Sequence, residues 1–490
     1  MSKKSIKKNY IYNLMYQILV MILPLVTTPY LARVLGAENI GIYSYTLSIT
    51  TYFILFGSLG IAMYGQREIA YVQENVKNRS KIFKEIFLLR LITMTISLIV
   101  FYFVFCRNGE YKTYYLIFSL EIIANIFDIS WFFQGLEEFK KIVIRNMMVK
   151  IISIICIFVF VKTGSDLIKY ILIYAVSVLL GNISLWLYIP KYIIKVKYSQ
   201  INIVRHLKPT LLLFVPQVAV QIYTVLDKTM IGALVLDKSE VGFYEQAQKI
   251  VKMCLTLATS LGTVMIPRIA STFSKGDTKK LGEYMNNSFS FIMILAFPIM
   301  FGLISIAKSF VPIFFGPGYD KVSILICTIS PIIVAIGLST VIGTQYLMPT
   351  KQQNKLTISV VCGAIINIIL NFALIKKYGA IGASVSTVIA EFTVAFIQFY
   401  LVRNKIKIFD VVKISYKYFF AAIGMFIASL IVGNVIKNAL LSIAFQVICG
   451  SLVYFLLLLL WKDEFFINNI KLIKVANIFH NKKRSGFYEE

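Results

Sequence analysis

The sequence is poor in the residues that soluble chemistry draws on. It has two histidines, His206 and His480, and six cysteines with no CxxC pair and no Cys/His spacing suited to a metal ion. All the cysteines except Cys106 lie inside apolar runs, where a thiol acts as a small apolar side chain. Only 15% of the 490 residues are charged, against about 25% in a soluble domain. Acids are scarcer than bases, 23 Asp and Glu against 50 Lys and Arg, giving a formal charge of +27. In a soluble chain that excess would point to nucleic acid. Here the bases sit in loops between apolar segments, where topology and anionic lipid headgroups account for them, so no nucleic-acid role is expected. The N-terminus lacks a short hydrophobic stretch with a small-residue cleavage site. Met1-Ser2-Lys3-Lys4 leads straight into a long apolar run, read as a retained first span.

What the chain has is hydrophobic length. A helix needs about 20 apolar residues to cross a bilayer. Such runs recur at 11–31, 41–64, 86–105, 113–133, 144–161, 167–189, 210–235, 243–266, 287–306, 322–347, 357–375, 381–402, 417–436 and 440–461. The expected fold is therefore an all-α polytopic membrane protein with about fourteen spans. With both ends on the cytoplasmic side, the inner segments carry 34 Lys and Arg and the outer loops 10, as the positive-inside rule requires. The outer loops are short. The longest, 307–321, has Asp320 as its only acid and no histidine, which leaves no room for an extracytoplasmic catalytic domain. The one sizeable soluble piece is the basic tail from Lys462 to Glu490. Richness in Ile, Lys and Asn suits an AT-rich bacterial genome, and a multi-pass chain of that origin is expected in the cytoplasmic membrane.

An internal repeat is visible. Gly41-Ile42-Tyr43 opens the second run and Gly242-Phe243-Tyr244 the eighth, each downstream of a run containing a proline, Pro24 and Pro216. The simplest division is a lobe of six spans over 1–208, a second over 209–403, and two further spans with the tail over 404–490. Repeats of this kind are a transporter architecture, with the substrate path between the lobes.

Polar groups within the spans are costly and mark cavities or partners. Gln217, Gln221, Thr224 and Lys228 share one helical face, with Asp227 beside Lys228. Glu245, Lys249, Lys252, Thr256 and Ser260 form a stripe on the eighth span; Glu121, Asn125 and Asp128 form one on the fourth. Glu391 stands alone near mid-depth of the twelfth. One reading is a hydrated cavity in which Lys228, Lys249 and Lys252 hold an anion while Glu121, Asp128, Asp227, Glu245 or Glu391 balance charge or carry a coupling ion. The plainer reading stays open: Lys249 and Lys252 snorkel to the interface, Glu245 and Lys249 form an i,i+4 pair, Asp227-Lys228 is a wet helix end, and Glu121 or Asp128 pairs with a lysine such as Lys150. Arg33 and Arg90 suit a phosphate as bidentate forks, or anchor their helices at the interface. Shifted by 201 residues, Glu245, Lys249 and Lys252 fall on Ser44, Ser48 and Thr51. A site charged on one side and hydroxylated on the other suits an amphiphile with one anionic head better than an organic cation.

The stretch from Leu23-Pro24-Leu25-Val26-Thr27-Thr28-Pro29-Tyr30 through Arg33-Val34-Leu35-Gly36 to Gly41-Ile42-Tyr43-Ser44 resembles the Wzx-type polysaccharide-biosynthesis flippases. These belong to the multidrug/oligosaccharidyl-lipid/polysaccharide exporter superfamily. Asp227-Lys228-Thr229-Met230-Ile231-Gly232 with Glu240-Val241-Gly242-Phe243-Tyr244, and Tyr378-Gly379-Ala380-Ile381-Gly382-Ala383-Ser384, look like the matching pieces further on. The resemblance implies two lobes that rock in alternating access and turn undecaprenyl-diphosphate-linked oligosaccharide repeat units from the inner to the outer leaflet. The product would be capsule or O-antigen. It implies no cofactor beyond a coupling Na+ or H+ ion, and as partners the bilayer, the lipid-linked substrate, a polysaccharide polymerase and chain-length machinery. The competing expectations are a drug or cation antiporter or a lipid II flippase of the same superfamily, and, from another class, a membrane polysaccharide polymerase.

Overall fold

The computed structural model describes residues 6–468 apart from 198, 200, 260, 261 and 407. In lipid every backbone N–H and C=O must be satisfied within the segment, which leaves the helix as the element for runs of this length. The elements are α1 (Ile6–Ser58), α2 (Ile61–Tyr71), α3 (Val76–Phe101), α4 (Lys112–Ile126), α5 (Ser130–Gly135), α6 (Phe139–Phe160), α7 (Leu167–Ser184), α8 (Val204–Leu234) and α9 (Ser239–Thr259). They continue as α10 (Gly262–Ser274), α11 (Thr278–Phe315), α12 (Asp320–Ile329), α13 (Ile332–Ser339), α14 (Gln353–Tyr378), α15 (Ala380–Val402), α16 (Ile408–Val435) and α17 (Ala439–Leu460).

Among the described residues, 11 helical stretches are long and apolar enough to cross a membrane. The first, Ile22–Tyr71, takes in the end of the first expected span and the whole of the second. The seventh expected span falls on α8, and the described residues of the eighth fall on α9 and the start of α10. The chain is a multi-pass, all-α membrane protein.

Several expected boundaries move. α1 is two helices joined at Gly36, whose φ of 77° and ψ of 168° leave helical space. The second span ends at Ser58, short of 64, because Leu59 (φ 45°) and Gly60 (φ 73°) turn the chain. The expected loop 65–85 is instead largely helical, formed by α2 and the start of α3. Its periodicity was masked by charge: Ile61, Tyr64, Gly65 and Ile69 are the buried face of α2. The expected outer loop 307–321 shrinks to Gly316–Tyr319, since α11 runs on to Phe315 and α12 starts at Asp320.

The outward faces of the helices are apolar, and the buried faces mix apolar with polar side chains. On α3, Ile92, Ile96 and Val100 are exposed while Arg90, Met94, Ser97 and Phe101 are buried on the opposite face. Lipid is as apolar as a leucine side chain, so packing and hydrogen bonds decide which face turns inward.

The chain forms two compact units, Met1–Glu245 with Ile375–Ala380, and Gln246–Leu374 with Ile381–Glu490. In the first unit the core is aromatic. Phe83 stacks on Trp131 at 5.7 Å and meets Phe132 edge-on at 4.9 Å, and Trp186 lies 4.7 Å from Phe87. Each such pair adds about 0.5–1.5 kcal/mol beyond area burial. The short segment Ile375–Ala380 joins this unit through Glu240, whose carboxylate accepts the Ala380 N–H at 2.8 Å.

In the second unit α16 and α17 pack on α11. Ser429 Oγ bonds Ser305 Oγ at 3.0 Å, Tyr454 donates to the Ile294 carbonyl at 2.9 Å, and Tyr418 donates to Asp463 at 3.2 Å. The last two spans are thus tied to their unit by polar contacts.

Candidate functional site

Within the first unit, α1, α4, α6 and α7 line an open cavity of about 570 Å3, inside the range of roughly 300–1,000 Å3 typical of small-ligand sites. The break between α4 and α5 makes its polar end. A helix that stops inside a membrane leaves orphan carbonyls. Three of them are met by side chains from elsewhere: Asn182 Nδ2 donates to Ala124 at 2.8 Å, Arg90 Nε to Asn125 at 2.6 Å, and Trp186 Nε1 to Phe127 at 2.8 Å. Asp128 sits in the break. Its Oδ1 accepts the Ser130 N–H at 3.0 Å and its Oδ2 lies 3.5 Å from Arg90 Nη2.

Arg90 is 2% exposed, and its Nη1 has no hydrogen-bond partner among the described residues. A fully buried guanidinium is tolerable only when paired; Asp128 supplies that pair.

α6 contributes a face rather than a point. Arg145, Val149, Lys150, Ser153, Ile154 and Ile157 line the cavity at helical spacing. Ile144, Met148, Ile152, Ile155 and Val159 are exposed on the other side. Arg145 is held by neutral acceptors, Asn182 Oδ1 at 2.7 Å and Ser130 Oγ at 2.9 Å. α7 adds Tyr170 and Tyr174. The Tyr174 hydroxyl donates to Glu121 Oε1 at 3.4 Å, and Glu121 is buried behind the cavity wall.

A second polar group in the same unit lies around α8 and the start of α9. Lys228 is ion-paired with Glu245, the Tyr244 hydroxyl donates to Asp227 at 2.5 Å, and Thr229 donates to Ser48 at 2.8 Å. Lys238 caps the end of α8 through the Gly232 and Val235 carbonyls, at 2.6 and 3.0 Å.

Of the residues singled out from the sequence, the structure thus brings together Arg90, Glu121 and Asp128 in one place, and Asp227, Lys228 and Glu245 in another. Asp128 pairs with Arg90 and Lys228 with Glu245. Arg33 is exposed, Gln221 is exposed and accepts from Thr224, Lys249 and Glu391 are half-buried, and Lys252 is exposed. The Gln217 side chain, Ser260 and His480 lie outside the described residues.

Sequence reasoning missed Arg145, Asn182 and the tyrosines, and treated Lys150 only as a partner for acids. The available signal was polar periodicity along 145–153 in an otherwise apolar run. It also passed over Glu85. That side chain is fully buried, accepts the Asn202 N–H at 2.7 Å, is bound by Arg205, and meets His206 Nε2 at 2.9 Å; His206 Nδ1 in turn meets the Tyr64 hydroxyl at 2.7 Å. No group of three or more His, Cys, Asp or Glu among the described residues could hold a metal ion.

A family model described as polysaccharide biosynthesis protein matches residues 6–273, and one described as MatE matches 213–373. Over 408 residues the chain is 26% identical to the putative O-antigen transporter of Escherichia coli (strain K12), covering 82% of this chain and 98% of the relative. Over 409 residues it is 24% identical to the capsular polysaccharide biosynthesis protein CapF of Staphylococcus aureus, covering 81% and 99%. Among solved structures it is similar to the lipid II flippase MurJ in an inward closed conformation, with a TM-score of 0.75 and 20% identity over 93% of this chain and 99% of that one. At that identity the likeness speaks for the fold alone.

Proposed function

This chain belongs to the polysaccharide biosynthesis protein family, and we propose that it is a flippase for the lipid-linked precursors of a surface polysaccharide. It is a transporter rather than an enzyme. Its substrates are undecaprenyl-diphosphate-linked oligosaccharide repeat units, carried from the inner to the outer leaflet of a bacterial cytoplasmic membrane for capsule or O-antigen assembly. Both termini lie in the cytoplasm, and a polymerase with its chain-length machinery receives the product.

The observation that carries this reading is the cavity. Four membrane helices turn charged, amide and hydroxyl side chains toward one space. Intramembrane polar groups of that density are retained for a polar passenger. A lipid tail needs no such site, whereas a glycan head does. The relatives named as an O-antigen transporter and a capsular polysaccharide biosynthesis protein support the same substrate class. Alternating access of two lobes, coupled to Na+ or H+, is the mechanism we assign. A pump for organic cations fits less well, because Arg145 and Lys150 outnumber Asp128 in the lining.

The test is a deletion strain. Loss of the protein should trap lipid-linked repeat units at the inner leaflet and remove surface glycan, with wild type restoring both. Unchanged glycan and unchanged intermediates would overturn the proposal, and a block in peptidoglycan instead would reassign the substrate to lipid II.

A further inference from the structure

We infer that the tail segment Leu472–Val475 seats in a groove of the second unit, as its counterpart Ile193–Val196 seats on the first. The inference goes beyond the flippase reading and does not depend on the passenger.

The first unit shows what such a seat is. The chain between α7 and α8 runs along the first turns of α3 as a strap, held by its backbone. Arg79 Nη2 donates to the Tyr192 carbonyl at 2.6 Å, the Ile194 N–H donates to Ser80 Oγ at 2.9 Å, and Lys84 Nζ donates to the Val196 carbonyl at 3.3 Å. Tyr192 is the anchor: its hydroxyl donates to Glu138 at 3.1 Å, and Lys141 lies 4.2 Å from the centre of its ring. Backbone groups satisfied in this way fix a stretch that has no ladder of its own.

The second unit repeats the helix and lacks the strap. Aligned on their N-caps, Asn75 and Asp277, α3 and α11 are offset by 202 residues. Arg79, Ser80 and Lys84 then fall on Leu281, Gly282 and Asn286. All three line an open cavity of about 450 Å3. Nothing stands within 4 Å of a Cβ placed on Gly282. α15 ends at Val402 and α16 starts at Ile408, whereas α7 ends at Ser184 and α8 starts at Val204. The second unit therefore has the seat without a connection long enough to fill it.

The occupant comes from the chain itself. The pinned part of the strap, Ile193-Ile194-Lys195-Val196, has a near copy in Leu472-Ile473-Lys474-Val475, outside the described residues. The described chain ends close by. Asp463, just after α17, accepts from Tyr418 at 3.2 Å. Tyr418 shares a buried face of α16 with Val411 in the groove wall, roughly 10 Å away by helical rise. The step from Asn468 to Leu472 spans up to about 13 Å.

The chemistry is complementary. Asp277, which also caps α11, and Asp410 face one cation in the lining, Lys405. Asp410 and Asn286 are exposed and make no side-chain hydrogen bond or ion pair among the described residues. Residues 469–484 carry five Lys and Arg and no acid. Phe273, Met285 and Val411 give apolar ground for Leu472 and Val475. The Asn286 amide can donate to the Val475 carbonyl as Lys84 does to that of Val196. Two acids against one base disfavour an anionic ligand in the same place.

The experiment uses the full-length protein in lipid nanodiscs. Trypsin cuts after Lys471 and Lys474 within or beside the segment and after Lys482 beyond it. Docking predicts slower cutting at the first two. Asp410→Lys, at an exposed side chain that bonds nothing, is expected to speed those two cuts about threefold or more and leave Lys482 unchanged. In a variant without the six native cysteines, Gly282→Cys is then paired in turn with Leu472→Cys, Ile473→Cys, Lys474→Cys and Val475→Cys and oxidised. Clearly unequal disulfide yields along the four positions, lowered by Asp410→Lys, support the inference. Even yields, or inner cuts that Asp410→Lys leaves unchanged, overturn it. Neither readout involves transport, so this failure is distinct from failure of the flippase reading.

Discussion

Gly41 and Gly242 make the same contact seen from its two sides. A Cβ on Gly41 would run into the Lys238 carbonyl and lie 3.1 Å from Gly242 N; a Cβ on Gly242 would run into the Ala37 carbonyl and lie 3.1 Å from Gly41 N. Each glycine faces the carbonyl four residues before the other. The two motif glycines, 201 residues apart in sequence, are where α1 and the start of α9 touch backbone to backbone.

Because the obstructing atoms are backbone, neither side can yield by rotating a side chain. Gly41→Ala and Gly242→Ala are each expected to destabilise by about 1–3 kcal/mol. Having separated the helices once, the double variant should cost clearly less than the sum. Thermal unfolding of the purified protein measures this. Additive losses would mean that the glycines do not share one contact.

The Arg90–Asp128 pair is expected to be more sensitive. Arg90→Ala takes the guanidinium from Asp128 and from the Asn125 carbonyl; Asp128 keeps the Ser130 N–H and is 25% exposed, so the cost should lie at or below the lower end of the about 3–5 kcal/mol for a fully buried pair. Arg90→Lys should recover little, since one ammonium cannot reproduce a fork that reaches both Asn125 and Asp128. Unfolding midpoints of the three proteins check it, and full recovery with lysine would contradict it.

Lys228 and Glu245 are about one-fifth exposed, so their pairing should be worth about 1 kcal/mol or less. The informative variant is the swap Lys228→Glu with Glu245→Lys. If pairing is what matters, the swap exports glycan at close to wild-type level while each single reversal falls. If Lys228 instead binds substrate, the swap fails as badly as Lys228→Glu alone.

At Glu85 the magnitude should grade with the bonds removed. Tyr64→Phe loses one hydrogen bond to His206, about 0.5–1.5 kcal/mol. Glu85→Ala strips Asn202, Arg205 and His206 of their common acceptor and should cost several-fold more. Equal effects in chemical denaturation would contradict the central place of Glu85.

The helices were legible because their signal is local. The apolar runs fall largely on helix among the described residues, and Asn125 and Asp128 of the polar stripe are in the lining of a cavity. What escaped depended on contacts distant in sequence. Lys228 reads as an unpaired cation until α8 and α9 bring Glu245 alongside. Asp128 offers itself to any lysine, and only the fold brings Arg90, 38 residues away, within 3.5 Å. Lys150 and Arg145 were visible as charges, but which way α6 turns them follows from packing in lipid, where apolar periodicity carries less weight. The breaks at Gly36 and Leu59-Gly60 left little trace, since hydropathy does not register a change of φ.

The most direct measurement is leaflet exposure of a fluorescent polyprenyl-diphosphate oligosaccharide in proteoliposomes containing the purified protein, read by quenching with a membrane-impermeant reductant. The account predicts that protein raises the quenched fraction above the one-leaflet plateau of protein-free vesicles. It also predicts that Arg90→Ala, at equal reconstitution, lowers that gain. A plateau that stays at the protein-free value with active-folded protein present would contradict a flippase.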